Sequence, residues 1–254
     1  GIGRISYYAA DGVNDANGYN ESFLVGGINP NAPTDGEGPK IDLFMNDNKF
    51  VAGSITNENP DLLGVLFDDN GINTVGNGIG HDLVAVLDEN TEKSIVLNDY
   101  YQSDLNSYQS GIVRYPFSKL SDGRHTLTLR AWDVYNNSNT ANTDFVVTTS
   151  ANLALQHVLN YPNPFTTYTK FMFEHNKPGA ALDLRIEIFS VSGKIIKTIT
   201  KIINTEGYRV DDITWDGLDD FGDKIGRGVY IYRISLKDDS GKKVSQYQKL
   251  VVLN

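Results

Sequence analysis

The feature that most constrains the fold of this chain is a two-residue alternation near its end. Between Val229 and Leu236, one face of a pleated strand would carry Tyr230, Tyr232, Ile234 and Leu236. Similar short-period runs recur along the chain, and none longer than about ten residues keeps a helical stripe. The pattern therefore predicts an all-β protein.

Composition supports this prediction and narrows the class of partner. The 254 residues include 24 Gly and 14 Tyr, which are typical of many short strands joined by turns. The net charge of -10 and the pI of about 4.8 argue against a nucleic-acid partner, because phosphate binding needs clustered Lys and Arg. There is no Cys, so disulfides and a cysteine nucleophile are excluded from this chain.

Targeting signals are also missing from the sequence. It contains no run of about 18 apolar residues that would form a transmembrane helix, and no signal peptide is visible. It opens directly in strand-like sequence, GIGRISYYA. We therefore expect it to be part of a longer protein.

Residues 1–39 are interpreted as trailing strands of an upstream domain, or extra edge strands, followed by a linker. Gly3–Ala9 and Ser22–Gly26 are the strand candidates, and the turn-rich sequence DGVNDANGYN between them is predicted to be a loop. Pro30–Pro39 has the composition of a linker.

Residues 40–150 are predicted to form an immunoglobulin-like β-sandwich. Turn clusters separate seven short strands, which is the number and spacing of that fold. The strand candidates are Ile41–Asn46, Leu62–Phe67, Asp82–Leu87, Ser94–Leu97, Gly111–Phe117, His125–Trp132 and Thr143–Thr148.

Residues 151–254 repeat the pattern and are predicted to form a second sandwich in tandem with the first. Gly193 provides the turn of a hairpin, and Pro162 and Pro164 mark a bend or an edge. The strand candidates are Ala154–Tyr161, Tyr168–His175, Leu182–Ser190, Lys194–Lys201, Arg209–Trp215, Gly228–Lys237 and Lys243–Leu253.

Four ordered motifs in this second sandwich resemble a known family. They are YPNPF (161–165), IEIFSVSGKIIKTI (186–199), WDGLDDFGDKIGRGVYIYRI (215–234) and a final KLVVLN. Together they resemble the C-terminal sorting domain of the Bacteroidetes type IX secretion system. The segment from Ser54 to Ser138 resembles the region that precedes this domain in the PorU-type sortase family.

The resemblance implies an upstream gingipain-type cysteine peptidase domain that carries the catalytic His and Cys, so this chain itself is expected not to be an enzyme. It also implies a spacer and anchoring role at the cell surface, on the outer face of the outer membrane. The implied partners are the outer-membrane barrel and translocon proteins of the secretion system. The alternative is a surface adhesin or carbohydrate-binding module that carries the same sorting domain. A third possibility, a flagellar hook-capping scaffold protein, is less favoured because that resemblance does not account for residues 1–150.

The expected mechanism is recognition, with strand addition at an exposed edge as one physical route. We expect the last two strands, Gly228–Lys237 and Lys243–Leu253, to present this site. The candidate recognition residues are Gly193, Lys194, Gly226, Gly228, Tyr230, Tyr232, Lys249, Leu250 and Val251.

The sequence lacks the motifs that mark serine hydrolases and zinc peptidases. Neither G-x-S-x-G nor H-E-x-x-H is present, and the four histidines are predicted to be structural: His81, His125, His157 and His175. The glycines of VGNGIGH, which are Gly76, Gly78 and Gly80, are interpreted as a hairpin loop because no βα unit surrounds them.

Two binding hypotheses remain open. No cofactor is expected except calcium, for which oxygen ligands concentrate in two loops, at Asp68, Asp69 and Asn70 and at Asp219, Asp220 and Asp223. A sugar-binding platform could use Tyr100, Tyr101, Tyr108 and Tyr115, although core and hairpin packing is the preferred explanation of these tyrosines.

Overall fold

The computed structural model describes residues 2–27, 34–75 and 80–253. The chain forms two compact units, residues 1–36 and 37–254. Strands and turns account for the regular structure of the described residues, with two short 3₁₀ turns at Thr91–Lys93 and Asn98–Tyr100. No helix among these residues has the length and apolar character needed to traverse a bilayer.

The first unit is an antiparallel hairpin of β1 (Ile2–Ala10) and β2 (Asp15–Leu24). The Asp11 carboxylate accepts hydrogen bonds from the backbone N–H groups of Val13 and Asn14, which closes a tight turn. The predicted loop of residues 11–20 is therefore wrong beyond this turn. Asn17, Gly18 and Asn20 favour turns, but each pairs with β1 in the ladder.

The first sandwich of the second unit consists of a five-stranded and a four-stranded sheet. The order β4-β11-β10-β6-β7 forms one sheet and β3-β5-β9-β8 the other. The strands are β3 (Lys40–Met45), β4 (Ile55–Thr56), β5 (Asp61–Phe67), β6 (Val84–Leu87), β7 (Ile95–Val96), β8 (Tyr101–Ser103), β9 (Ser110–Pro116), β10 (Gly123–Trp132) and β11 (Ser138–Val147).

All seven strand candidates of this region are present, with β4 and β8 added. The inward face of β10 is fully buried, with Leu127, Leu129 and Ala131 each at 0% exposure. The main difference is β11, which begins at Ser138 inside the predicted turn cluster. Its first residues are polar because they pair with β10 on the exposed part of the sheet.

The second sandwich has a three-stranded sheet, β12-β13-β16, and a four-stranded sheet, β15-β14-β17-β18. Every predicted strand is present with bounds within two residues. They are β12 (Leu155–Tyr161), β13 (Thr169–His175), β14 (Leu182–Ser190), β15 (Ile195–Ile203), β16 (Arg209–Trp215), β17 (Gly228–Lys237) and β18 (Lys243–Val252). The architecture is thus all-β with two tandem immunoglobulin-like sandwiches, each with its own hydrophobic core.

Direct hydrogen bonds join the two sandwiches. The buried Glu174 carboxylate of β13 accepts hydrogen bonds from the Ser54 hydroxyl at 2.6 Å and from the Ile55 N–H at 3.1 Å. The Tyr208 hydroxyl donates to Asn57 at 3.1 Å, and burial raises the pKa of this phenol. The joint is therefore a packed polar interface rather than a bare peptide connection.

Candidate docking site

The sequence-derived recognition residues gather at one end of the four-stranded sheet. Ser190, Tyr230 and Leu250 lie side by side in the last full row across β14, β17 and β18. Gly193 and Lys194 belong to the turn that follows β14, and Gly226 precedes β17. We call this the motif end, because it unites the turn 191–194, residues 226–230 and residues 249–252.

The YPNPF motif closes one sheet edge at the motif end. The Asn163 amide donates to the carbonyl of Lys249 at 3.0 Å, and its oxygen accepts from the N–H of Val251 at 2.9 Å. The backbone of Phe165 continues this pairing with Val251 and Leu253. The edge of β18 is therefore occupied from residue 249 to residue 253.

The acidic WDGLDDFGD loop closes the opposite edge. Asp220 imitates a strand residue: its carboxylate accepts the Thr198 N–H at 3.2 Å, and its own N–H donates to the Ile196 carbonyl at 3.1 Å. The Lys197 ammonium bonds the Asp219 carbonyl at 2.9 Å. Two of the four motifs that carry the family resemblance thus act as edge caps on the same sheet, a role that the sequence analysis missed.

The outer face of the sheet is apolar next to these caps. Ile195, Val229 and Ile231 are 45%, 42% and 40% exposed, and Phe189 and Val251 flank them as partly exposed neighbours. These five residues, which we call the apolar zone, lie on the face opposite the core because inward and outward side chains alternate along each strand. An apolar sheet face in contact with solvent is suited to protein recognition.

The recognition candidates differ in what they offer to a partner. Tyr232 and Leu250 are at 0% exposure in the core, so their side chains cannot contact another protein in this fold. Burial raises the pKa of the Tyr232 phenol. Tyr230 is half-buried and its hydroxyl donates to the Gly226 carbonyl at 2.8 Å, which fixes the entry into β17.

Backbone conformation explains two of the glycines. Gly193 has a φ of +85° in the β14–β15 turn, and Gly228 begins β17 at +155°. A Cβ at either position would meet no heavy atom closer than 4.0 Å. The requirement for glycine at these sites is therefore conformational rather than one of space.

The four histidines each have a local structural environment. His81 stacks on Trp132 at 4.1 Å, and His125 is held between the Asp88 carboxylate and the Ser121 carbonyl, both at 2.8 Å. His157 contacts Glu174 at 2.8 Å. Burial lowers the pKa of His175 to about 4, because the charged imidazolium is disfavoured away from water.

The glycine-rich VGNGIGH segment shows no sign of a phosphate loop in its described part. Gly76 and Gly78 lie outside the described residues. Gly80 has a φ of +83°, and the chain continues into the strand β6.

The two calcium candidates have different geometries. Asp219 accepts the N–H groups of Phe221 and Asp223 at 2.9 Å, as expected for turn chemistry. These backbone hydrogen bonds lower the pKa of Asp219. Asp68 is buried and caps the N–H groups of Asn70 and Gly71.

A second buried acid, Asp133, lies near Asp68, with carboxylate oxygens within 4.8 Å of each other. This pair was not predictable from local sequence, because 65 positions separate two turns that lie together in the fold. Calcium binding in this region stays a prediction. Thermal unfolding with and without millimolar calcium would test it.

The tyrosines of the sugar-platform hypothesis do not form a flat surface. Tyr100 and Tyr115 pack edge to face, with ring centroids 5.0 Å apart and an interplanar angle of 74°. Tyr101 is partly buried, and burial raises its pKa to about 12. Tyr108 is 68% exposed and Tyr100 45%. Core and hairpin packing therefore accounts for most of this group.

Comparison with known proteins adds to these observations. The chain is similar to PorU. It is 30% identical to the dimeric latent PorU of Porphyromonas gingivalis across 99% of its own length, and the TM-score is 0.46. The matched region covers 24% of that protein, so the chain spans about a quarter of the length of PorU. The sequence identity supports a PorU-like relationship.

Other similarities are weaker. SGBP-B of the Bacteroides ovatus mixed-linkage glucan utilization locus is 15% identical, with 79% of this chain and 43% of that chain covered and a TM-score of 0.36. The fibronectin(III)-like modules of Clostridium thermocellum CbhA are 8% identical, with 84% and 93% covered and a TM-score of 0.30. No family model and no curated protein matches the chain.

Proposed function

We propose that this chain is the non-catalytic C-terminal region of a PorU-like surface sortase of the type IX secretion system. The sandwich of residues 40–150 serves as a spacer, and the sandwich of residues 151–254 serves for sorting and anchoring. Cysteine peptidase activity belongs to an upstream domain. The docking partners are outer-membrane barrel and translocon components, and the protein acts on the extracellular face of that membrane.

The observation that carries this proposal is the convergence of the family motifs at the motif end. YPNPF and WDGLDDFGD are distant in sequence, yet they cap the two edges of one sheet beside the apolar zone. A domain that keeps its edges closed and exposes an apolar face is organised for recognition by that face.

This geometry also refines the expected route of binding. Strand addition at residues 249–253 of β18 would have to displace Asn163 and Phe165. Docking through Ile195, Val229 and Ile231 needs no such displacement. We therefore place the barrel-facing contact on the outer face of the sheet.

The test is surface retention of the full-length protein in the cell that produces it. We expect Ile231→Glu to release the protein from the outer membrane, because a buried interfacial carboxylate without a partner is strongly disfavoured. Val65→Glu in the first sandwich is a matched control, since Val65 also points outward from a central strand and is 37% exposed. Normal retention of Ile231→Glu, with an unchanged melting temperature, would refute the proposed docking face.

A further inference from the structure

The outer face of the same sheet contains a cavity of about 800 Å³ at the end opposite the motif end. It lies across β15, β14, β17 and β18 and involves none of the five residues of the apolar zone. Ligand sites in proteins have volumes of roughly 300–1,000 Å³, so this groove is large enough for a small ligand.

Strand register shows how the groove is built. Thr200, Arg185, Ser235 and Ser245 pair in one row across the four strands and form its floor. The row Asp183, Lys237 and Lys243 forms one wall, and Glu187 and Arg233, which pair in another row, form the other. Alternate residues of a strand lie about 6.6 Å apart, so the wall rows begin about 13 Å from each other.

The floor is lined by short hydroxyl side chains. Within the described ranges, the hydroxyl groups of Ser235 and Ser245 have no protein partner within hydrogen-bonding distance. They stand between longer charged residues, which leaves room above them. A hydroxyl can donate to a ligand oxygen or accept from one.

The walls are predominantly cationic, in contrast to the net charge of -10 of the chain. Four basic side chains lie on the outer face at the groove, and two acidic ones, Asp183 and Glu187, accompany them. The four are Arg185, Arg233, Lys237 and Lys243. In the described part of the chain Lys243 forms no ion pair, and Lys237 stands 3.9 Å from Asp183.

One arginine is held in a fixed orientation. The Arg233 guanidinium contacts the Glu187 carboxylate, donates to the Tyr247 hydroxyl at 3.2 Å and lies 5.9 Å from the centroid of Phe189. Glu187 is 3% exposed and also pairs with Arg185 at 3.0 Å. One buried carboxylate therefore fixes two guanidinium groups, which leaves a net positive charge on this wall.

We propose that this groove binds a soluble ligand that carries several phosphate or sulfate ester groups. Arg185, Lys237 and Lys243 supply charge-assisted hydrogen bonds to the oxyanions, and the Ser235 and Ser245 hydroxyls contact the remaining ester or hydroxyl oxygens. A flat membrane surface fits less well, because the walls recess the hydroxyl floor. The inference goes beyond the docking function, since its residues lie outside the apolar zone.

The experiment uses isothermal titration calorimetry of the 254-residue chain with inositol hexakisphosphate, and with myo-inositol as the uncharged probe. We expect binding of the phosphorylated probe alone. The double variant Lys237→Gln/Lys243→Gln should weaken it by about a hundredfold, because two charge-assisted hydrogen bonds are lost and each contributes roughly tenfold. Ser245→Glu, which places a carboxylate on the floor, should weaken it similarly.

Matched controls make the result decisive. Lys93→Gln/Lys170→Gln removes the same charge from exposed sites outside the groove, and we expect unchanged affinity. Equal weakening by both double variants would overturn the proposal, because it would indicate non-specific charge attraction. The proposal would also be overturned by no heat of binding at millimolar probe, by equal binding of myo-inositol, or by groove-dependent binding only to anionic phospholipid vesicles.

Discussion

The Ser54 hydroxyl donates a hydrogen bond of 2.6 Å to the Glu174 carboxylate, although the two residues belong to different sandwiches. Both are about 4% exposed, and the same carboxylate accepts the Ile55 N–H and contacts His157. This carboxylate satisfies several donors, and a buried donor that loses its acceptor is destabilising. Glu174 therefore links the folding of the two domains.

Replacing Glu174 with Ala should lower the free energy of unfolding by about 3 kcal/mol, because two charge-assisted hydrogen bonds are lost and their donors stay buried. Urea unfolding followed by fluorescence measures this change. Glu92→Ala, at an exposed site in the first sandwich, should change stability by less than about 0.5 kcal/mol. A loss below about 1 kcal/mol for Glu174→Ala would show that the joint does not depend on this residue.

Acid should destabilise the chain through His175. Its pKa is about 4 in the folded state and about 6.5 when unfolded, so the unfolded state binds the proton more readily. The stabilisation is complete above pH 6.5 and is lost as the pH falls toward 4, by up to about 3 kcal/mol.

Local contacts define the neutral form of His175. Its Nδ1 accepts the Lys177 N–H at 3.2 Å, so Nε2 carries the hydrogen and donates to Thr205 at 2.9 Å. His175→Gln should reduce the slope of stability against pH between 6.5 and 4, as measured by urea unfolding at several pH values. An unchanged slope would assign the acid sensitivity to other groups.

Asn163 should determine the protection of the β18 edge. Asn163→Ala removes the bonds to Lys249 and Val251, and we expect a loss of about 1–2 kcal/mol in stability. Hydrogen exchange should accelerate at Val251 and Leu253, while the amides of β14 in the centre of the sheet keep their protection. Equal exchange rates in the variant and the original protein would contradict a capping role.

The glycines of the motif end allow stability to be separated from recognition. Gly193→Ala should cost about 1 kcal/mol because of its φ of +85°, and Gly193→Asn should cost less. Gly226→Ala should be neutral in thermal unfolding, since a Cβ there meets nothing within 4 Å. A large drop in melting temperature for Gly226→Ala would refute this assignment, whereas lost surface retention at full stability would identify a direct contact.

Strands were predictable where the alternation was strong. In β14 and β17, inward residues such as Ile186 and Ile234 are fully buried, and the predicted bounds are those observed. β2 was only partly predicted because its Asn and Gly residues are typical of turns. They adopt strand conformation by pairing with β1. A ladder partner is a non-local property that local composition does not reveal.

The candidate site was predictable only in part for a related reason. The recognition residues were chosen from motifs, and the sheet register does bring them to one end. The edge caps depend on hydrogen bonds between distant segments, from Val251 to Asn163 and from Thr198 to Asp220. The groove likewise exists only as rows across four strands, so no single stretch of sequence contains its pattern.

The capped edge of β18 has a consequence for self-association. In a strand that pairs on one side, alternate residues direct their N–H and C=O groups to the open side, which leaves only residues 243, 245 and 247 available. This open segment is short, contains Lys243 and ends where Asn163 occupies the edge. It therefore offers few backbone groups for strand pairing with another copy of the chain. Edge-to-edge pairing of two copies of the chain along β18 would therefore be limited to these three residues.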